Sequence, residues 1–587
     1  MKKLLPALVA LAALCGLLIL GLADAAPAPA EPVSVYPAPG VRTASPQTQI
    51  SFRGVGAGKL GAVVVTGSRS GRHAGVVRAH SDGNGASFVP AKPFHAGERV
   101  TVRTGLDVVG ARQGDFAIRI ARPAREPGIR RQDPPSKGLG AVQRFATRRD
   151  LLPPQVAVTT AKPGHAPGYV FLAPKGGHGQ DGPMIVDTAG RLVWFKAMPR
   201  DRIATDLRVQ RWQDKPVLTW WQGGLIVGDG RGEGVIYDTS YRRIATVHAG
   251  NGYDMDLHEF TLTPKGTALV IAYNRVKQDL RSVGGRRNGV AVDGIVQEID
   301  VKTGLVLFEW HSIGSVAFDE GKGPVPKAGG EYDYMHVNSV ALDRNGAFIV
   351  SARNTWTVYK VDRARARVEW RLGGTRPSFK MGPGTTTAWQ HSARPQPDGT
   401  IAIYDNGASP QVHEHSRAIT VRIDQEAKTA TLVSALTHPR GLLSATQGSV
   451  ERLANGDTFV GAGSQRWFSE YSPAGELLFD GHLARGNDSY RAFLLPWDGS
   501  PRTAPKVAAS ASDGRVTARG SWNGATEVAR WQLLAGANED AMTIVAEAPN
   551  TGFETTIRAT TSQPLVAMRA LDATGRTLGT SAGVKPR

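Results

Sequence analysis

The sequence predicts an all-β protein: a six-bladed β-propeller flanked by an N-terminal Ig-like β-sandwich and a C-terminal fibronectin-III-like β-sandwich. Three observations carry this reading. The 587 residues include 69 glycines and 37 prolines, which favours many turns over long helices. Short apolar runs recur about every ten residues near both ends of the chain, the spacing of a sandwich. The middle holds a hairpin repeat with a glycine at a fixed place in each copy.

The chain opens with MKKLLPALVALAALCGLLILGLADA. Two lysines, an apolar run from Leu4 to Leu22 and a small-residue A-x-A site form the pattern of a secretory signal over residues 1–25, cleaved after Ala25. The run is also long enough to stay as an uncleaved membrane anchor. The expected location is therefore secreted or in the cell envelope. Cys15 is the one cysteine, and Leu14 before it is not the small residue that a lipoprotein signal needs. A cysteine-free exported chain relies on core burial, without disulfides.

Residues 33–124 hold the runs VSVYP, QTQISFRG, LGAVVVTG, GASFVPA, ERVTVRTGL and DFAIRIA, separated by Gly, Pro and Asp turns. They read as the first sandwich. Residues 125–164, rich in proline and arginine, read as a linker. In the propeller, expected over 165–496, four repeat copies are clear, starting at Leu257, Met335, Trp389 and Thr446. Each is a strand, a turn ending in glycine and a second strand, followed by another strand pair. Two weaker copies near residues 184 and 208 complete six. Four-stranded repeats of this kind form a propeller; a solenoid of the same repeats is the alternative. Residues 503–587 give a further strand series, the second sandwich, with no catalytic constellation.

The formal net charge is +19, spread along the chain. No concentrated basic patch with interleaved aromatics marks a nucleic-acid surface. Anionic cell-wall polymers or anionic small substrates suit an exported basic protein better. The alternative is a charge that is only compositional.

Aligning the clear hairpins on Gly266, Gly346, Gly399 and Gly456 places His258, Asn338, His391 and Gly448 eight residues upstream. In a propeller these positions face one central funnel. His336 lies two residues before Asn338 and shares its strand face. Two-residue turns at Asn345-Gly346 and Asp398-Gly399 would set Asn338 opposite Arg353 and His391 opposite Asn406; a bulge would shift each pairing. Three histidines also suit a catalytic zinc sphere. An arginine among them points instead to an anion, and no cofactor is expected. His413 and His415 read as solvated loop residues, and Arg417 as a candidate substrate contact.

The segments HEF…PKG, MHVNSV…SAR and WQHSA…DG…YDNG…SRA resemble the bacterial arylsulfotransferases of the six-bladed-propeller type, the ASST-like branch. The resemblance covers residues 165–485 and implies transfer of a sulfuryl group from a phenol sulfate to another phenol. No nucleotide donor is needed, and a histidine is transiently sulfated. The partners it implies are a small aryl sulfate donor and a phenolic acceptor. Carried over, the QHS histidine His391 is the nucleophile, while His258, His336, Asn338 and Arg353 surround the sulfuryl oxygens. Asn406 and Arg417 join Asn338 as candidate substrate-binding residues. The acid–base histidine is His258 or His336; the sequence does not separate them. The disulfide near the family's site has no counterpart here, and the C-terminal sandwich is an addition. The class alternatives are a non-catalytic cell-surface binding protein and a metal-dependent propeller hydrolase or lactonase.

Overall fold

The computed structural model describes residues 32–130, 140–327 and 329–587. The expected signal over residues 1–25, with Cys15, lies outside them, as does part of the expected linker. Strands dominate, and the described helices are short 3-10 turns. Among the described residues no helix is long and apolar enough to cross a membrane.

Six sheets of four or five strands fill most of residues 156–495, antiparallel except where Glu331–Tyr332 and Lys380–Met381 add in parallel, and Pro174–Lys175 pairs separately with Asp488–Ser489. The first contains Met184–Asp187 and Leu192–Phe195, and the second contains Ile203–Trp212 and Lys215–Leu225. The third begins with Phe260–Leu262 and Thr267–Gln278, and the fourth with Val337–Leu342 and Phe348–Ala352. The fifth begins with His391–Pro395 and Ile401–Asp405, and the sixth with Ser449–Arg452 and Thr458–Gly461.

Both faces of these sheets are covered, because successive side chains on a strand point to opposite faces. Trp220 packs between the first and second sheets while its neighbour Trp221 packs between the second and third. Ile349 and Val350 divide in the same way between the fifth-sheet and third-sheet sides of the fourth. A buried apolar cluster lies between each consecutive pair of sheets, including the sixth and the first. The sheets therefore contact one another in a closed cycle.

The cycle is joined by strands from distant parts of the chain. Phe493–Leu495 pairs with Tyr169–Leu172 in the first sheet. Val156–Ala161 forms the outer strand of the sixth by pairing with Leu477–Leu483. The expected linker over 125–164 is thus corrected at its end, where alternating VAVTTA has an open sheet edge to extend.

The four turn glycines are equivalent in conformation, with φ of +74° at Gly266, +79° at Gly346, +82° at Gly399 and +92° at Gly456. Each closes a three-residue loop: in the fourth sheet, Asp343 N–H donates to Ala347 O and Gly346 N–H to Asp343 O. Glycine reaches this left-handed conformation without a Cβ clash. The expected two-residue turns are therefore wrong by one residue, and bulges add a further shift. Val337 pairs with Ala352, across an irregularity at Asn338. His391 pairs with Tyr404. Asn338 does not oppose Arg353.

Residues 34–119 form two four-stranded sheets around one buried core, docked on the third sheet of the ring. Thr43 donates to Asp293 (2.6 Å), and Gln49 donates to Val306 O (2.8 Å). Residues 506–580 form a three-stranded and a four-stranded sheet around another core. They dock on the first ring sheet through Asn523, which bonds both N–H and O of Phe195 at 3.0 Å.

Beneath the first docking surface lies buried His311. Its Nδ1 is 2.8 Å from Asp293 and its Nε2 is 3.0 Å from Glu309. Burial pushes this imidazole toward neutrality, but the two carboxylates outweigh it and raise its pKa to about 10. Its stabilising contribution is complete below the ordinary histidine value near 6.5 and is lost as pH rises through about 10. His311→Gln should cost about 3–5 kcal/mol at neutral pH by leaving two buried carboxylates unpaired. Denaturant unfolding from pH 7 to pH 11 should show the gap between wild type and variant closing at the alkaline end. A gap independent of pH would refute the ion-pair assignment.

Candidate active site

A cavity of about 490 Å³ opens where the ring sheets converge. Its polar wall holds His258, His336, His391, Arg353 and Lys175, and Ile203, Leu225, Ile226 and Leu257 form an apolar wall. The structure therefore brings together all three expected histidines and the expected arginine, from the third, fourth and fifth sheets.

His391 opens its strand just after Trp389, which is held at φ +59°. Its Nδ1 lies 2.7 Å from Asn406 Oδ1 and 3.1 Å from Trp389 O. The Asn406 amide group donates to Ser444 O (3.1 Å) and Gln447 O (2.9 Å). Its oxygen must therefore face the histidine, and His391 carries its proton on Nδ1. Nε2 is left with the lone pair and accepts the backbone N–H of Gln447 at 3.1 Å. Burial, then the nearby Arg353 charge, holds the His391 pKa well below the ordinary histidine value.

The other two histidines have carboxylate partners. His258 Nδ1 meets Asp256 at 2.5 Å, and His336 Nδ1 meets Asp333 at 2.5 Å. Their Nε2 atoms are 3.2 Å apart, with ring planes nearly perpendicular at 89°. Asp256 also accepts the N–H groups of His258 and Gly230. Tyr273 stacks on His336 with ring centroids 5.7 Å apart, and its hydroxyl is bonded to Val337 O.

Arg353 starts a 3-10 turn directly after its strand. It donates to Asn354 Oδ1 (2.9 Å) and Ala445 O (3.2 Å) and lies 4.8 Å from the Trp389 ring. Its buried Nε has no protein partner among the described residues.

The remaining expected residues stand outside the cavity. Asn338 is buried and donates to Gln390 O at 2.7 Å. Asn406, also fully buried, orients His391. Both are positioning residues; neither lines the cavity as a substrate contact. Arg417 is paired with Asp405 (2.9 Å) and Thr386 O (2.9 Å), away from the cavity. His413 also lies against Asp405 at 2.8 Å, while His415 is part-exposed beside Glu414. At the fourth ring position, Gly448 has φ +118°, and an added Cβ would sit 2.2 Å from the Tyr404 ring. Among the described residues no group of three or more His, Cys, Asp or Glu side chains is arranged to hold a metal ion.

Several site residues escaped the sequence reading. Asp256 and Asp333 precede their histidines by two and three residues, so DLH and DYMH were the available signals. Lys175, Gln447 and Tyr490 carry no such signal. Lys175 Nζ bonds Asp488 and reaches Gln447 Oε1 at 3.1 Å, tying the short pairing of Pro174–Lys175 with Asp488–Ser489 to the loop that covers His391.

The amino-acid pattern and this geometry meet in one comparison. Residues 208–484 match the family model described as Arylsulfotransferase (ASST). Over these residues the chain is similar to the arylsulfotransferase family. None of the curated proteins matches the chain. Among solved structures, the chain is similar to a protein of unknown function from Bacteroides caccae, at 11% identity over 56% of this chain and 98% of that one, TM-score 0.35. It is also similar to a protein from Lactobacillus plantarum, at 12% identity over 67% and 100%, TM-score 0.32. Virginiamycin B lyase from Staphylococcus aureus gives 9% identity over 62% and 94%, TM-score 0.26.

The matched segment rests on a buried ion cluster below the histidines. Arg491 contacts Asp206 (2.8 Å) and Glu259 (3.2 Å) and donates to His258 O (2.8 Å). Arg208 and Arg394 also meet Glu259, at 3.0 and 2.8 Å. Burial pushes the Glu259 carboxyl up, but the three guanidiniums, Arg394 first, outweigh it and hold it far below the usual carboxylate range. Glu259→Gln should destabilise the fold by about 3–5 kcal/mol, since it leaves three buried cations short of an anion. Urea unfolding at neutral pH checks this; a cost below about 1 kcal/mol would show the cluster to be incidental.

Proposed function

We propose that the six sheets are the blades of a propeller and that the flanking units are the Ig-like and fibronectin-III-like sandwiches. We further propose that the protein is an exported arylsulfotransferase, moving a sulfuryl group from an aryl sulfate to a phenol through a sulfohistidine at His391. The match of residues 208–484 to the arylsulfotransferase family supports the reaction class. The assignment of the nucleophile is carried by one contrast. His258 and His336 point Nδ1 at carboxylates, whereas His391 points Nδ1 at the neutral Asn406 amide. A neutral imidazole with its proton on Nδ1 offers an unshared pair on Nε2, which is what attack on sulfur requires.

In the first step Nε2 of His391 attacks the sulfur and the bond from sulfur to the aryl oxygen breaks. The phenolate takes up a proton and leaves. The Nδ1 proton stays between His391 and Asn406, so the sulfated ring is an imidazolium and leaves readily in its turn. In the second step an acceptor phenol loses its proton, its oxygen attacks sulfur and the bond from sulfur to Nε2 breaks. Arg353, with Nε free of protein partners among the described residues and its charge in the cavity wall, suits the sulfuryl oxygens. Donors fixed before the reaction stabilise the charge that builds there. The Gln447 N–H, which lies on Nε2, is placed to turn toward those oxygens once Nε2 is bonded to sulfur. The apolar wall suits the aryl ring.

The protein incubated with p-nitrophenyl sulfate and a phenol should release p-nitrophenol with ping-pong kinetics. Mass spectrometry should find a sulfuryl adduct on His391, and His391→Asn should abolish both. Turnover unchanged in that variant would sink the assignment; no release by the wild type would leave a binding protein.

His391 must be unprotonated to attack, and its pKa lies well below 6.5, so kcat/KM should show no rising limb from this group near neutral pH. Arg353→Ala should lower kcat by about 100-fold to 1,000-fold and move the acid limb upward, because a positive neighbour is removed. A limb that stays in place would separate Arg353 from His391 electrostatically.

A further inference from the structure

We propose that Asp256, His258, His336 and Asp333 form one hydrogen-bonded chain that holds a single shared proton, with the two aspartates as positioning residues for a two-way acid–base group. The inference rests on the sulfuryl-transfer reading above and deepens it. The order of contacts is Asp256 Oδ2 to His258 Nδ1, His258 Nε2 to His336 Nε2, and His336 Nδ1 to Asp333 Oδ2. The distances are 2.5, 3.2 and 2.5 Å.

The protonation follows from the donor inventory. Ionised carboxylates only accept, so both Nδ1 atoms donate. Two Nε2 atoms 3.2 Å apart would then face each other with lone pairs unless one proton lies between them. The pair is therefore one imidazole and one imidazolium, with Asp256 and Asp333 at its two ends. Both carboxylates are fixed by more than the imidazole contact. Asp256 accepts the Gly230 N–H at 2.8 Å, and Asp333 accepts the His336 N–H at 3.1 Å. The rings are held as well, His258 through its backbone oxygen on Arg491 and His336 by the Tyr273 face.

The chain balances the two half-reactions with no other proton source. When the S–O bond of the donor breaks, the shared proton passes to the aryl oxygen, leaving both imidazoles neutral. When the acceptor phenol attacks the sulfated His391, its proton returns to the pair. Either ring can be the one that exchanges with substrate, because the proton crosses between the two Nε2 atoms. This explains why the sequence cannot choose between His258 and His336: both belong to the same group.

The test is a series of aryl sulfates whose leaving phenols span acidic to weakly acidic, assayed with full-length wild type, Asp256→Asn and Asp333→Asn. Protonation matters little for p-nitrophenol and much for a phenol with pKa near 10. Each variant should lose about 100-fold in kcat on the poor leaving group and only a few-fold on p-nitrophenyl sulfate. The double variant should lose no more than the worse single one. Equal losses across the series would reduce the aspartates to structural groups and overturn the proposal. Histidine-labelled protein examined by nitrogen NMR gives a readout without turnover. One imidazolium shared by His258 and His336 at neutral pH is expected, and two neutral rings would overturn it. A wild type that transfers nothing while showing the shared proton would instead refute the sulfuryl-transfer reading alone.

Discussion

The Glu259 carboxylate is the point on which the site depends. It accepts from Arg208 of the second sheet, Arg394 of the fifth and Arg491 ahead of the closing strand. It also lies 3.2 Å from the Val340 N–H of the fourth sheet. Burying these charges is costly, and the cost is recovered only when every partner is in place. The same Arg491 bonds the carbonyls of His258 and Asn338. The strand starts that carry the site are thus fixed by a network that tolerates no missing member.

Above that base, the histidines are differentiated by the partner on Nδ1. A neutral amide on His391 fixes its tautomer without favouring a second proton. Carboxylates on His258 and His336 fix their Nδ1 atoms as donors and leave the two Nε2 atoms facing each other. Burial reinforces the first case, since an imidazole far from water and near Arg353 resists charging. Three identical side chains are in this way given different Nδ1 partners, an amide for one and a carboxylate for the other two.

The repeat was legible in the sequence because a three-residue turn needs glycine at one place and the strands need apolar residues beside it. That much aligned His258, Asn338 and His391, with His336 two residues before Asn338. The cross-strand register was not legible. Turn length and bulges are set by backbone details, such as His336 at φ +51° and Ser392 at φ +53°, for which neither residue type is a signal. Asn338 and Arg353 therefore failed to oppose each other. Lys175 and Tyr490 were invisible for a different reason. They lie in or beside the pairing of Pro174–Lys175 with Asp488–Ser489, and no local pattern records a contact so distant in sequence. Arg417 misled because an arginine beside a motif looks like an anion ligand until its carboxylate, Asp405, is seen.

The pairing of Phe493–Leu495 with Tyr169–Leu172 has a consequence for biogenesis. Tyr490 and Arg491, just upstream of that strand, are the last elements to be synthesised that touch the cavity histidines. A chain emerging from its amino terminus has His258, His336 and His391 long before it has the guanidinium that bonds the His258 carbonyl. A chain that stops short of residue 491 therefore has the three histidines without the contacts that Arg491 makes to the His258 and Asn338 carbonyls.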